Sequence, residues 1–301
     1  MAIVLADDQY GKAETRVVRI YRDTPRHEIR DLNVSTALRG DFAAAYLAGD
    51  QAHVLPTDSQ KNTCFAYAKE HGDGAIEDYA LALARHFTGD IAAVSRAHVD
   101  VEEYRWERVT AGGAGHPHAF VRSGQEVRTT AVTADITGGR ERTWVISGLT
   151  GLVVLKSTGS EFTGFLRDRY TTLAETTDRV LATSLTARWR YRPGDTGWDE
   201  AFRNVREIML ERFAELHSRA LQQTLYEMGA AVLAARDDIA EIRLSAPNKH
   251  HFLVDLEPFG LANPGEVFHA DDRPYGLIQC AVGRDGAPDA GPAWDGPGCF
   301  A

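Results

Sequence analysis

The chain has 301 residues, of which 44% are hydrophobic and 25% charged, and its formal net charge is −10. This composition is typical of a globular protein with one large or two ordinary domains. The acidic balance argues against a nucleic-acid-binding protein, because phosphate backbones attract basic surfaces. The sequence has no apolar run of about 18 residues, the length that crosses a bilayer. We therefore expect neither nucleic acid nor a membrane as a partner. A small anionic ligand is compatible with this net charge if cationic side chains are concentrated at its binding site.

The three cysteines are Cys64, Cys280 and Cys299, an odd number at wide spacing. They indicate neither a disulfide framework nor a cysteine-based zinc site, and they favour a reducing, intracellular setting. The first residues lack the basic segment that opens a secretory signal. The ending Cys299-Phe300-Ala301 differs from an SKL-type peroxisomal address. These features predict a cytoplasmic protein.

In the first half of the chain, the spacing of apolar residues predicts two strands, two helices and two further strands. They are strands 15–22 and 32–38, helices 57–69 and 76–87, and strands 98–107 and 127–136. The second helix has the clearest pattern, because Ile76, Tyr79, Leu83 and Phe87 recur at helical spacing.

Gly138-Gly139 is the predicted domain boundary, because the same order of elements repeats after it. The repeat comprises strands 143–156 and 180–191, helices 205–216 and 221–235, and strands 239–257 and 275–283. Sequential hairpins with helices on one face predict an α+β fold with antiparallel sheets. The predicted domains are residues 9–138 and 139–284. A flexible tail, 285–301, holds four Gly and three Pro.

Thr57 opens the first predicted helix, and Gln60 follows it at the spacing of a capping box. The same position can also hold a hydroxyl beside free backbone N–H groups, where an anion would bind. Spacing alone leaves both interpretations open.

His250 lies in the predicted strand 239–257, where a period of two places it on one face with Asn248 and Phe252. His251 then points to the opposite face, so the two neighbouring histidines are a poor metal chelate. His250 is either a hydrogen-bonded core histidine or a general base.

Other residues capable of chemistry carry little signal on their own. His116 and His118 lie in a Gly-rich stretch without a third ligand nearby, which favours a loop over a metal site. Lys12, Arg179 and Gln222 would each be an ordinary surface residue or salt-bridge partner in isolation.

Six segments in order carry more information together than separately. They are Tyr10-Gly11-Lys12, VLPTDSQKNT at 54–63, VLKST at 154–158, YTTL at 170–173, TDR at 177–179 and LSAPNKH at 244–250. In this order the segments closely resemble the urate oxidase (uricase) family, over residues 9 to 284.

The resemblance implies two tandem T-fold domains, each a four-stranded antiparallel sheet with two helices. It also implies a homotetramer around a tunnel, with active sites at subunit interfaces. Members of the family oxidise urate with O2 and water to 5-hydroxyisourate and hydrogen peroxide, and use no metal or organic cofactor.

The resemblance assigns roles position by position. Lys12, Thr57 and His250 resemble the proton-handling triad. Phe162 resembles the residue that stacks on the purine, and Arg179 and Gln222 resemble the pair that grips its edge. The remaining roles are backbone hydrogen bonds from Asp58 and Leu221, the holding of O2 or water by Asn248, and a pocket lining by Leu173 and Ile278.

Two other functions compete with this one. A non-catalytic purine-binding T-fold protein would need only the gripping residues, so the presence of Lys12, Thr57 and His250 argues against it. A pterin-type enzyme related to GTP cyclohydrolase would, where it uses zinc, need a Cys/His ligand set that the sequence does not offer.

Overall fold

The computed structural model of the chain describes residues 2–194 and 196–296. Within them lie nine strands and five α-helices. The strands are β1 (Tyr10–Tyr21), β2 (Glu28–Gly40), β3 (Val94–Ala111), β4 (Ala114–Asp135), β5 (Arg142–Lys156), β6 (Leu181–Tyr191), β7 (Ile239–Leu253), β8 (Phe268–Asp271) and β9 (Leu277–Gly283). The helices are α1 (Ala43–Ala48), α2 (Thr57–Glu70), α3 (Ile76–Asp90), α4 (Trp198–Glu215) and α5 (Leu221–Ala235). Among the described residues, no helix is both long and apolar enough to cross a membrane.

The chain divides into two compact units. Of the described residues, 2–148, 190–194, 196–199 and 288–296 form unit 1, and 149–189 and 200–287 form unit 2. These limits come from contacts within the chain, whereas the domain limits 9–138 and 139–284 stay a prediction.

In unit 1, strands β1 to β4 form an antiparallel sheet in chain order. Helices α2 and α3 pack on this sheet. The apolar residues that predicted α3 are fully buried there: Ile76, Tyr79, Leu83 and Phe87. They form one stripe of the helix, because residues three and four apart lie on the same face. The stripe therefore anchors α3 to the sheet.

In unit 2, β7 pairs antiparallel with β8 through its last residues and with β9 through its earlier ones. Helix α5 packs on β7 and β9. On β6, the alternating residues Leu181, Leu185 and Trp189 are fully buried, as expected for a strand with one face in the core.

All twelve predicted strands and helices are present. The structure also contains two short elements that bury few side chains. Helix α1 has six residues and none is buried, so it leaves no helical period to detect. Strand β8 has only four residues. Neither element was predicted.

The expected loop around His116 and His118 is wrong, because β4 begins at Ala114 and includes both residues. This part of β4 forms a hairpin with β3, and Arg108 Nη1 donates to the carbonyl oxygens of His116 and Pro117. A mostly exposed two-stranded hairpin has no core face, so its sequence need not alternate.

Residues 288–296 of the Gly/Pro-rich tail belong to unit 1. Ala293 is buried beside Ala131 and Ile146, and Trp144 and Trp294 pack against the same cluster. The flexibility of segment 285–301 stays a prediction, and its last five residues, including Cys299, lie outside the described residues.

A buried ion pair joins α3 to the sheet of unit 1. Glu77 is 0% exposed, its carboxylate accepts hydrogen bonds from Arg128 Nη2 at 2.7 Å and Ser147 Oγ at 2.5 Å, and Arg128 Nη1 also bonds to Asp199 at 2.6 Å. Burial raises the pKa of Glu77, and the positive charge of Arg128 opposes that rise. Removal of Arg128 would leave a buried carboxyl group without its cation.

We expect Arg128→Met to lower the free energy of unfolding by about 3–5 kcal/mol, because it breaks a buried ion pair on one side. Urea denaturation followed by circular dichroism measures this loss. Arg105→Met is the matched control, because Arg105 pairs with Glu107 at the surface and such pairs contribute under about 1 kcal/mol. Equal losses in the two variants would contradict the prediction.

Candidate functional site

Helix α2 begins without a side-chain cap. Its N-cap residue is Pro56, so Thr57 is the first helical residue and, of the two interpretations left open by the sequence, the capping box of Thr57 and Gln60 is wrong. The Gln60 side chain instead accepts a hydrogen bond from Thr36 Oγ1 at 2.8 Å. In the part of the chain that the structure describes, the Thr57 hydroxyl and the N–H groups of Thr57, Asp58 and Ser59 have no hydrogen-bond partner. The helix start therefore offers one hydroxyl and several N–H donors to a ligand.

Lys12 lies on β1, which is fastened to the start of α2. The Lys12 backbone N–H donates to Thr36 Oγ1 at 3.3 Å, and the same hydroxyl donates to Gln60 of α2. The charge of Lys12 also helps to lower the pKa of Asp58. Lys12 and the start of α2 are thus neighbours.

Gly11 and Tyr10 explain the rest of the first motif. A Cβ atom at Gly11 would lie 1.8 Å from the Thr36 carbonyl oxygen, so only glycine fits there. Tyr10 donates its hydroxyl to the carbonyl oxygen of Leu55 at 3.1 Å. Gly11 thus allows β1 to pack closely against Thr36, and Tyr10 joins β1 to the segment just before Thr57.

The negative charge of Asp58 is compensated within α2. Its carboxylate accepts hydrogen bonds from Lys61 Nζ and, at 3.1 Å, from Asn62 Nδ2. The Lys61 ammonium is the main cause that holds the pKa of Asp58 below its usual range. Asp58 can therefore stand at a helix start without presenting an uncompensated charge to an anionic ligand.

In unit 2, two irregular segments bring Phe162 and Arg179 together. Phe162 exchanges two backbone hydrogen bonds with Thr176, and the Arg179 N–H donates to the Ser160 carbonyl oxygen at 2.8 Å. The Arg179 guanidinium carbon lies 5.2 Å from the centre of the Phe162 ring. Phe165, which the sequence did not single out, stacks on Phe162 with centroids 4.9 Å apart and planes tilted by 13°.

The Arg179 guanidinium has no carboxylate partner among residues 2–194 and 196–296. It is half-buried, and burial lowers its pKa, although an arginine remains charged at neutral pH. A half-buried cation without an anion is costly. Such a group is a candidate anion-binding residue.

The start of α5 is tied to the Phe162 segment. Ser218 donates its N–H to Gly159 O at 2.9 Å, and its carbonyl oxygen accepts from Glu161 N at 2.8 Å. The N-cap residue Ala220 offers no side-chain cap. Leu221 is buried, whereas Gln222 is exposed and its amide has no hydrogen-bond partner in the described parts of the chain. A free amide and free N–H donors therefore stand beside the Phe162 segment.

Asn248 and His250 lie near the end of β7. Asn248 N donates to Gly276 O, and Thr183 Oγ1 donates to Pro247 O, both at 2.8 Å. His250 is half-buried, its ring stacks on Phe252 at 5.6 Å, and its nitrogens make no hydrogen bond to any described residue. The structure therefore does not support a hydrogen-bonded core histidine.

The remaining predicted residues are Ile278 and Leu173. Ile278 is half-buried on β9, opposite Ala246 of β7. Leu173 is 54% exposed in the segment between Phe162 and Arg179.

The predicted site is divided between the two units. Lys12, Thr57 and Asp58 belong to unit 1. The other predicted residues all belong to unit 2: Phe162, Leu173, Arg179, Leu221, Gln222, Asn248, His250 and Ile278. Within the described residues, no group of three or more His, Cys, Asp or Glu side chains is arranged to hold a metal ion.

A model of the Uricase family matches residues 8–133 and 145–279 of the chain. The uricase of Arthrobacter globiformis is 51% identical, with 97% of this chain and 94% of that protein covered. The uricase of Aspergillus flavus is 37% identical over 92% and 95%, respectively.

Solved structures of uricases are also similar to this chain. The crystal structure of the Arthrobacter globiformis uricase superposes with a TM-score of 0.92 at 50% identity, over 98% of this chain and 100% of that one. The urate oxidase of Bacillus sp. TB-90 superposes with a TM-score of 0.80 at 24% identity, over 92% and 100%. At that identity the likeness concerns the fold alone.

We expect Gly11→Ala to lower the free energy of unfolding by several kcal/mol, because the new methyl group must displace β1 from Thr36. Thermal unfolding measures the change. Gly89→Ala is the matched control, because a Cβ at this helical glycine meets nothing within 4 Å and alanine stabilises helices by up to about 1 kcal/mol. A Gly11→Ala protein as stable as the parent would show that the close contact is not a constraint.

Proposed function

The chain belongs to the uricase family and has its α+β T-fold, and we propose that it oxidises urate with molecular oxygen. Urate, O2 and water give 5-hydroxyisourate and hydrogen peroxide. Urate loses two electrons and two protons, O2 gains them to become hydrogen peroxide, and water then adds to the oxidised purine. No cofactor is needed if the urate anion itself is the electron donor.

The observation that carries this proposal is the half-buried Arg179 guanidinium, which has no carboxylate partner among the described residues and lies 5.2 Å from the Phe162 ring centre. Urate is flat, aromatic and anionic. An aromatic face suits its ring, and a guanidinium fork suits its charged edge. The free amide of Gln222 supplies a donor and an acceptor for a second edge. In this proposal the N–H groups of Asp58 and Leu221 add hydrogen bonds, and Leu173 and Ile278 line the pocket.

Proton transfer is the role that we propose for Lys12, Thr57 and His250. An ammonium, a hydroxyl and an imidazole in contact can take a proton from urate and pass it onward near neutral pH. The helix start at Thr57 stabilises the negative charge that develops there. Asn248 would hold first O2 and then water above the ring. Because both reactants are held in place, part of the barrier is overcome by their positioning.

We also propose that the active form is a cytoplasmic homotetramer with sites at subunit interfaces. Lys12 and Thr57 come from unit 1 and His250 from unit 2. By its resemblance to the family, Lys12 and Thr57 of one subunit would meet His250 of another. A site of this kind does not exist in a monomer.

The decisive experiment follows urate, O2 and hydrogen peroxide together, with purified protein dialysed against a chelator. We expect one O2 to be consumed and one hydrogen peroxide to be formed for each urate lost. Xanthine, a flat purine at a lower oxidation state, is the control ligand, and we expect it to bind without O2 uptake.

Two outcomes would oppose the proposal. Urate binding without O2 uptake would favour a non-catalytic purine-binding protein. Activity that disappears on chelation and returns with a metal ion would contradict cofactor-free chemistry and favour a metal-dependent enzyme.

Subunit mixing tests the shared site. Thr57→Ala and His250→Ala proteins are each expected to be nearly inactive. After random subunit exchange in an equal mixture, an intact Thr57 meets an intact His250 at about a quarter of the shared sites. We therefore expect partial recovery of urate oxidation. Mass spectrometry verifies the exchange, and no recovery in verified mixed oligomers would show that each site lies within one chain.

A further inference from the structure

We propose that Ser160 is a positioning residue that holds Arg179 by its Nε and so fixes which donors of the guanidinium reach the substrate. This inference rests on the proposed function. The Ser160 hydroxyl accepts a hydrogen bond from Arg179 Nε at 3.4 Å, and the Ser160 carbonyl oxygen accepts from Arg179 N at 2.8 Å. Ser160 is 0% exposed, so its hydroxyl is kept from solvent. One residue thus holds both the backbone and the side chain of Arg179.

A guanidinium can bind two acceptors through its Nε edge or through its two terminal nitrogens. Ser160 occupies Nε, which leaves the terminal nitrogens of Arg179 as the donors for a ligand. Two parallel donors suit a carbonyl oxygen beside a deprotonated ring nitrogen, a pair that a purine anion presents on one edge. Ser160 therefore favours binding of the substrate by the two terminal nitrogens of Arg179 over binding through its Nε edge.

The neutrality of Ser160 matters as much as its position. Arg128 is held by the carboxylates of Glu77 and Asp199, which cancel its charge. Arg179 is held by a hydroxyl and a carbonyl oxygen, which are dipoles without net charge. Its positive charge therefore stays available for an anionic substrate.

Ser218 keeps Ser160 from moving. Like Ser160, Ser218 is 0% exposed, and the two residues form a short parallel bridge. The Ser218 hydroxyl accepts a hydrogen bond from Thr224 Oγ1 at 2.7 Å and donates to Ala220 O at 3.3 Å, which joins the bridge to the start of α5. A buried bridge of this kind gives Ser160 one position relative to the helix that carries Gln222.

The test measures KM and kcat for urate and the Kd of xanthine in Ser160→Ala. Loss of one hydrogen bond to a charged group predicts a rise of about tenfold in KM and Kd. We expect kcat to change less than about twofold, because the grip is the same in the ground state and the transition state. Ser160→Cys, which keeps a side chain of similar size but is a poor acceptor, is a second variant should alanine impair folding.

A double-mutant cycle separates positioning from a general structural role. If Ser160 acts through Arg179, then Ser160→Ala has no further effect on the Kd of xanthine in an Arg179→Ala background. Ser147→Ala is the matched control, because Ser147 is also fully buried and bonds to Glu77. We expect this control to leave KM unchanged even where it lowers the melting temperature.

Unchanged KM and Kd in both Ser160 variants would overturn the inference. So would equal effects of Ser160→Ala with and without Arg179. Failure of the proposed function has a different signature, since the parent protein would then not oxidise urate, or Arg179→Ala would bind xanthine as tightly as the parent.

Discussion

Buried polar residues hold the starts of α2 and α5 without using the first backbone N–H groups of either helix. The Thr36 hydroxyl joins Gln60 of α2 to β1, and the backbone of Ser218 joins the segment before α5 to the Phe162 segment. Side-chain caps at these positions would occupy the N–H groups that a ligand needs. Because the helices are fixed from outside, their starts can stay uncapped, and the residues proposed to bind the substrate depend on this arrangement.

Local charge, rather than net charge, decides what such a site attracts. The chain carries a formal charge of −10, yet Asp58 is neutralised by Lys61 and Arg179 has no carboxylate partner among the described residues. Elsewhere a buried cation is matched by buried anions, as Arg128 is by Glu77. The two treatments of arginine distinguish a residue that stabilises the fold from one that is kept for a ligand.

The elements that the sequence predicted are those with a buried face. The helical spacing from Ile76 to Phe87 and the alternation from Leu181 to Trp189 each reflect a core that excludes water. Helix α1 and strand β8 bury little and left no such period. The capping-box interpretation was wrong for a related reason. The spacing of Thr57 and Gln60 does not show that the Gln60 side chain bonds to Thr36, which lies on β2 and is distant in sequence.

The candidate site likewise contains residues that the sequence indicated and residues that it did not. Lys12, Arg179 and Gln222 look like surface residues one by one, and only the order of whole motifs gave them roles. Ser160, Ser218 and Phe165 escaped notice because they lie in or beside irregular segments, where no period exists. Their importance comes from hydrogen bonds and stacking between segments far apart in sequence, which a single sequence does not display.

The stacking of Phe165 on Phe162 has a stereochemical consequence. Phe165 covers one face of the Phe162 ring, with centroids 4.9 Å apart and nearly parallel planes. A purine that lies flat on Phe162 is then restricted to the opposite side, and it turns only its outer face toward an incoming oxygen atom. If the proposed contacts of Arg179 and Gln222 with the purine edge also fix which face points outward, the new carbon–oxygen bond would form on that face alone, and the product, which is chiral at the attacked carbon, would be released as one enantiomer.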